Sequence, residues 1–212
     1  MDVLEVYASK IENTIRRFKW DKLQRLYGSI HNSIIGFIST EWITLSEKNS
    51  VLDGAPNIED DDGKKYADLL LCEEDKPFIV VEVESSVSKY REKIDTIFRY
   101  LNNKEFEGPV FGMMVMSNVN ETQHGMNCRH HWDQIKAIVT QEGKPIVLVS
   151  IEKDKAKLDK SPLSRLRKRN KYYPWNIVNI EYWIHTPNQT KEGKLLDISK
   201  KEYTSTGGIG NE

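Results

Sequence analysis

Apolar and polar positions along the chain follow two different periods. Apolar residues spaced three and four apart predict amphipathic helices over 4–18, over 21–37 with Asp21 as its cap, over 87–101 and around 131–140. Shorter runs, in which apolar residues alternate with polar ones or follow each other directly, predict β-strands. The predicted strands are Trp42–Glu47, Ala67–Cys72, Phe78–Glu84, Val110–Met116, Ile146–Ile151 and Ile177–Ile184.

The order of these elements indicates the fold class. Helices that separate wholly apolar strands imply parallel pairing through crossover connections, whereas the two strands between 67 and 84 are close enough to form a hairpin. We therefore predict an α/β protein with a mixed central sheet flanked by helices. Residues 48–63 contain Asp53-Gly54, Pro56 and a run of four acids, and are predicted to form a loop.

The predicted hairpin brings three acidic residues together. Its strands flank the polar break Glu73–Pro77, which is predicted as a five-residue turn. If the turn is centred on Asp75, Asp68 lies directly opposite Glu82, and directly opposed residues share a face of the sheet. Side chains alternate between faces, so Glu84 shares the face of Glu82.

Three acids on one face need an explanation, because opposed like charges weaken a sheet. One explanation is an edge hairpin whose acids lie in solvent and keep the protein soluble. The other is a cation held between the carboxylates, and oxygen-only ligands favour hard ions such as Mg²⁺ or Mn²⁺.

Composition narrows the class of protein. The chain has 212 residues, of which 38% are hydrophobic and 30% charged, enough for one domain with elaborations. No apolar run approaches the roughly 20 residues that span a membrane. The N-terminus has no apolar signal core and there are two cysteines, which favours an intracellular, cytoplasmic location.

The C-terminal third changes in character, although the net charge of the whole chain is only −1. The segment Lys153–Lys171 holds nine Lys or Arg and two Asp, and is a candidate for contact with DNA phosphates; a solvated linker is the alternative. We divide the chain into 1–152, a basic and aromatic extension over 153–186 packed on the core, and a polar, partly disordered tail over 187–212. The candidate DNA-binding residues are Arg165, Arg167, Lys168, Arg169 and Lys171.

The element order, with Ala67-Asp68 on one strand and Glu82-Val83-Glu84 ending the next, resembles the PD-(D/E)XK nuclease superfamily over residues 20–120. The resemblance implies a restriction endonuclease-like αβββαβ core, here with an added helix, an added strand and a C-terminal extension. It also implies that Asp68, Glu82 and the Val83 carbonyl hold Mg²⁺ or Mn²⁺. Such a metal activates water and stabilises charge on the scissile phosphate.

The chain departs from the superfamily pattern where a lysine is expected, because Glu84 stands there. A glutamate supplies no positive charge, but it can bind metal or accept the proton of the attacking water. Lys89 is a candidate to compensate, with Lys93 one turn further on; the alternative, stronger for Lys93, is that both are ordinary solvated lysines. Glu41 is a candidate for a further acid at the site.

Taken together, these features predict a metal-dependent deoxyribonuclease, in one form a structure-specific, resolvase-like enzyme of DNA replication, repair or recombination. The resemblance to resolvases of that superfamily implies a homodimer, with DNA as partner. Two alternatives stay open. One is a catalytically inactive DNA-binding module on the nuclease fold, and the other is a dimeric protein-interaction adaptor that uses residues 172–183.

Overall fold

The chain forms a mixed seven-stranded β-sheet with helices on both faces. A computed structural model describes residues 2–25, 30–53, 58–60, 63–103, 108–117, 122–123, 126–153 and 177–197. The seven-stranded mixed sheet with helices on both faces confirms the predicted α/β class.

The sheet has the strand order β1-β4-β5-β6-β9-β10-β11, and two short two-stranded ribbons, β2-β3 and β7-β8, lie apart from it. Pairing is parallel only in the middle, from β5 to β6 and from β6 to β9, and antiparallel on both sides. The strands are β1 Asn49–Asp53, β2 Ile58–Asp60, β3 Gly63–Lys65, β4 Leu69–Glu73, β5 Lys76–Glu84, β6 Phe111–Ser117, β7 Thr122–Gln123, β8 Met126–Asn127, β9 Ile146–Lys153, β10 Ile177–Thr186 and β11 Gln189–Asp197.

In the part of the chain that the structure describes, four α-helices cover the sheet, two on each face. They are α1 Val3–Arg17, α2 Ile30–Leu45, α3 Tyr90–Asn102 and α4 Cys128–Glu142, and short 3-10 helices span Trp20–Arg25 and Val87–Lys89. The apolar stripes of α1 and α2 pack with one set of alternating strand residues, and those of α3 and α4 pack with the other set. Two cores therefore lie on opposite faces of one sheet.

The helices α1, α3 and α4 and the strands β6 and β9 confirm the predictions made from periodicity. The prediction of a strand over Trp42–Glu47 is wrong, because α2 continues to Leu45. Its buried face runs on through Ile38 and Trp42 with helical spacing, and this longer period prevails over the short alternation. Asp21 lies inside a 3-10 helix, and α2 begins only at Ile30.

A segment predicted as a loop and another predicted as a polar, partly disordered tail contain strands. Within 48–63, β1 pairs antiparallel with β4, and β2 and β3 form a small ribbon. Within 187–212, β11 pairs with β10 in a hairpin, and residues 198–212, which include the end predicted to be disordered, lie outside the described residues. Both β1 and β11 are edge strands, where polar residues are tolerated and the apolar signal is weak.

The Ile97 side chain of α3 packs directly on Gly112 of β6. A Cβ atom on Gly112 would be 2.2 Å from Ile97 Cγ2 and 3.2 Å from Ile146 Cγ1. A glycine at this position thus lets α3 rest against the backbone of the sheet.

No helix in the described part of the chain is both long enough and apolar enough to cross a membrane.

Candidate active site

The hairpin formed by β4 and β5 places Asp68 and Glu82 together. Its turn has two residues, Glu74 and Asp75, both with positive φ, rather than the predicted five. Such a turn alone would set Asp68 opposite Val81, but the register shifts by one residue between Leu71 and Cys72. Beyond this bulge Leu69 pairs with Val81, so the next position, Asp68, lies opposite Glu82 as predicted.

Backbone contacts fix Asp68 where β4 begins. The Val83 N–H donates to Asp68 Oδ2 at 2.8 Å, and the Ala67 N–H donates to the Tyr100 hydroxyl of α3 at 3.2 Å. The N–H and C=O of a strand residue point to the same neighbour, so the Val83 carbonyl also faces the side of Asp68. The three groups assigned to a metal by the resemblance therefore share one end of the hairpin.

Glu82 is fully buried and contacts a lysine of α3. Lys93 Nζ lies 2.5 Å from Glu82 Oε2 and 3.7 Å from Asp68 Oδ2, and its side chain is 21% exposed. The other oxygen, Glu82 Oε1, has no hydrogen-bond partner among the described residues. The Lys93 ammonium thus contacts both carboxylates but leaves the buried Glu82 Oε1 without a hydrogen-bond partner among the described residues.

The two carboxylates differ in acidity although they lie within hydrogen-bonding reach of each other. Burial, and then the neighbouring charge of Asp68, raise the pKa of Glu82 to about 8. Burial also acts to raise the pKa of Asp68, but the hydrogen bonds from His31 and the Val83 N–H outweigh it, and that pKa is lowered. Burial thus favours the protonated form of Glu82, whereas hydrogen bonds favour the charged form of Asp68.

His31, at the start of α2, belongs to this cluster and was missed in the sequence. Its Nε2 lies 3.4 Å from Asp68 Oδ2, and this contact raises the pKa of His31 against the opposing effect of burial. His31 and Asp68 are far apart in sequence, and α2 packs mainly on the opposite face from Lys93. No local sequence pattern predicts the contact between His31 and Asp68, because it forms only where α2 and β4 meet at one end of the folded sheet.

Glu84 lies at the end of β5 with its carboxylate directed towards the chain that follows. Its Oε1 accepts hydrogen bonds at 2.7 Å from the N–H groups of Ser85 and Ser86. It therefore caps the start of the segment that leads into α3. Two of the three predicted acids meet at a common point, and the third has other hydrogen bonds.

Two further candidates lie away from the pair. Lys89 ends the 3-10 helix Val87–Lys89 and is exposed, so the structure places Lys93, and not Lys89, against the acids. Glu41 is buried, with Oε1 2.9 Å from Lys22 Nζ and Oε2 accepting the Lys19 N–H. Ten residues along α2 separate it from His31, a distance of roughly 15 Å. Glu41 thus ties α2 to the preceding segment.

The described residues include no group of three or more His, Cys, Asp and Glu side chains arranged to hold a metal ion. Two features of the Asp68–Glu82 pair nevertheless fit a hard cation. The unsatisfied Glu82 Oε1 is a buried oxygen donor, and the Lys93 ammonium already stands as a cation against both carboxylates. The donor set is oxygen only, as Mg²⁺ and Mn²⁺ prefer.

The predicted DNA-binding residues Arg165, Arg167, Lys168, Arg169 and Lys171 lie outside the described residues. Of the aromatic residues proposed as an adaptor surface, Tyr182 and Trp183 are buried in β10. Core packing accounts for these two side chains, and residues 172–176 of the same segment lie outside the described residues.

Comparison with known proteins provides no relative for this arrangement. No family model, no curated protein and no solved structure matches the chain. The interpretation of the cluster therefore depends on its residues and their geometry.

Proposed function

We propose that the protein is a metal-dependent deoxyribonuclease with a restriction endonuclease-like core. The order α2, β1, β4, β5, α3, β6 supports this core, since it is a helix, three antiparallel strands, a helix and a strand parallel to the third. The elements α4, β9, β10 and β11 are additions to it. The superfamily assignment remains a resemblance carried by these elements and by the acids on them.

The observation that carries the proposal is the bulged register that sets Asp68 opposite a fully buried Glu82. A buried carboxylate beside a second carboxylate is unfavourable unless a cation or proton compensates it. A structural role alone does not require either acid. The arrangement is favourable for holding a divalent ion at a site where phosphate charge must be neutralised.

Each residue has a role in the proposed reaction. A bound Mg²⁺ or Mn²⁺, held by Asp68, Glu82 and the Val83 carbonyl, would lower the pKa of an attacking water and offset charge on the phosphate. Lys93 supplies from α3 the positive charge that Glu84 cannot supply, close to the same two acids. His31 orients Asp68 through the contact at its Oδ2.

DNA as the substrate and a homodimer as the active form remain predictions. The basic residues between 153 and 171 are the candidates for gripping the DNA backbone, and branched substrates would need two sites in a fixed relation. Glu84 remains a candidate third ligand or proton acceptor, on the condition that it leaves the N–H groups of Ser85 and Ser86.

The proposal predicts cleavage of plasmid and branched DNA by the purified protein with Mg²⁺ or Mn²⁺, and none with EDTA. Asp68→Asn and Glu82→Gln should each lower the rate by roughly 10²–10³-fold or more, because each removes charge that stabilises the transition state. Glu73→Gln is the matched control, since it makes the same chemical change on β4 at the other end of the hairpin. It should cleave like the wild type.

Cleavage that survives both Asp68→Asn and Glu82→Gln would exclude this site. Absence of cleavage with any divalent ion, together with salt-sensitive DNA binding, would favour a second candidate: an inactive DNA-binding module. The observation that favours the second candidate is the engagement of Glu84 with Ser85 and Ser86 in place of the missing motif lysine.

A further inference from the structure

The position of Lys93 raises a question about how the proposed metal would enter. Its ammonium lies against Glu82 Oε2 and near Asp68 Oδ2, the same oxygens that the proposed function assigns to a divalent ion. Two cations cannot occupy one point between two carboxylates, because they would overlap sterically and repel each other at contact distance. One must leave when the other binds.

Lysine is an incomplete substitute for a divalent ion at this place. It carries one positive charge facing two carboxyl groups, and it leaves Glu82 Oε1 without a hydrogen-bond partner in the described part of the chain. A divalent ion carries twice the charge and accepts several oxygen ligands at once. A divalent ion can therefore bind Glu82 Oε1, which the Lys93 ammonium leaves without a partner among the described residues.

Lys93 also has a way out of the cluster. It lies in the first turn of α3 on a long unbranched side chain, and part of that side chain is exposed. Lysine side chains extend their charged end into water at little cost when a partner is lost. Glu82 is held on a central strand and has no comparable freedom.

We propose that Lys93 is an internal competitor of the metal: it holds the cation position in the metal-free protein, and a divalent ion binds by displacing its ammonium from Glu82. The inference depends on the proposed function, because it assumes that Asp68 and Glu82 are the metal ligands. The displaced ammonium would remain on α3 close to the two acids, where it would be available to contact the phosphate of a substrate.

Competition has a consequence that an ordinary ion pair lacks. Removing Lys93 should tighten metal binding, because no displacement is needed, and weaken cleavage, because the positive charge beside the phosphate is lost. A lysine that only stabilises the fold would change neither quantity specifically. A lysine that helps to hold the metal would weaken both.

The test is calorimetric titration of Mn²⁺ into the full-length wild type and into Lys93→Met, without DNA. We expect binding in the variant to be tighter by about tenfold or more, since the competent state no longer has to be freed from the ammonium. Arg91→Met is the matched control: Arg91 is an exposed cation of the same helix turn that pairs with Asp95. It should bind Mn²⁺ like the wild type.

A measurement on the unaltered protein covers the case in which Lys93→Met folds poorly. Lysine acylation followed by peptide mass spectrometry should show slow labelling of Lys93 with EDTA and faster labelling with Mn²⁺, because the ammonium is released. Lys10, an exposed lysine at the other end of the hairpin, should label equally under both conditions.

The outcomes separate the two proposals. If the wild type binds Mn²⁺ and cleaves DNA, but Lys93→Met binds no more tightly and Lys93 labelling does not rise, the competition is refuted and the nuclease proposal stands. If neither protein binds Mn²⁺, both fail. Tighter binding in Lys93→Met that Asp68→Asn removes supports the competition.

Discussion

The two ends of the β4–β5 hairpin carry the same kind of contact in different surroundings. At the turn, Lys10 Nζ lies 2.5 Å from Glu73 Oε2, and Lys48 pairs with Glu74; these four side chains are between 32% and 68% exposed. At the open end, Lys93 Nζ lies 2.5 Å from Glu82 Oε2, whose side chain is completely buried. Distance alone does not distinguish the two pairs, whereas burial does.

This difference in burial implies different roles for the two pairs. An exposed pair contributes roughly 0–1 kcal/mol to stability. A buried pair gains little over an apolar pair of the same size, so its presence is weak support for a stabilising role. Nothing about stability requires acids at the open end of the hairpin, and a chemical role explains them better.

The largest expected effect comes from removing the lysine at each end. Lys93→Met should lower the free energy of unfolding by about 3 kcal/mol at pH 9, because it leaves a buried carboxylate without its cation. Lys10→Met should lower it by less than about 1 kcal/mol. Urea denaturation at pH 9 measures both changes in the free energy of unfolding. Equal changes for Lys93→Met and Lys10→Met would contradict the different roles assigned to the buried and the exposed pair.

A smaller effect is expected in the dependence of stability on pH. The pKa of Glu82 is raised from 4.5 to about 8 by burial and by Asp68, so folding favours its protonated form. The resulting stability is fully present below pH 4.5 and is lost as pH rises through 8. Glu82→Gln should flatten the profile between pH 5 and 9, whereas Glu73→Gln should follow the wild type. A wild-type profile without this decline would contradict a protonated Glu82.

The smallest effect concerns His31. Its pKa is raised by the hydrogen bond to Asp68, so the stability it contributes is present below pH 6.5 and lost as pH rises through the higher folded value. NMR titration should show the His31 pKa falling in Asp68→Asn. The His185 pKa, which burial alone lowers, should not move. If the His31 pKa did not change in Asp68→Asn, His31 and helix α2 would not be part of the candidate site.

The face shared by Asp68 and Glu82 was predictable from the sequence, but for a reason that was only partly correct. The predicted five-residue turn is a two-residue turn, and the bulge between Leu71 and Cys72 restores the register that the shorter turn would have shifted. Alternation along a strand reports which residues share a face, whereas a bulge leaves no mark in the hydrophobic pattern.

The choice between Lys89 and Lys93 lay beyond the sequence. Counting helical turns from Ser85 assumes a single helix, whereas a 3-10 turn over Val87–Lys89 precedes α3 and changes its rotation. His31 was out of reach for a different reason, since its partner is brought near only by the packing of α2 on the sheet. Such contacts depend on tertiary geometry, which periodicity does not encode.

Because Gly112 has no side chain, it affects the position of α3 and thereby the contact of Lys93 with Asp68 and Glu82. Ile97 rests where a Cβ of residue 112 would stand, and Lys93 precedes Ile97 by one turn on the same helix. A larger residue at 112 would clash with Ile97, and we expect the resulting shift of α3 to change the distance between the Lys93 ammonium and the acids, although the substitution is on a neighbouring strand. The position of the Lys93 ammonium therefore depends on a residue of β6 that has no side chain.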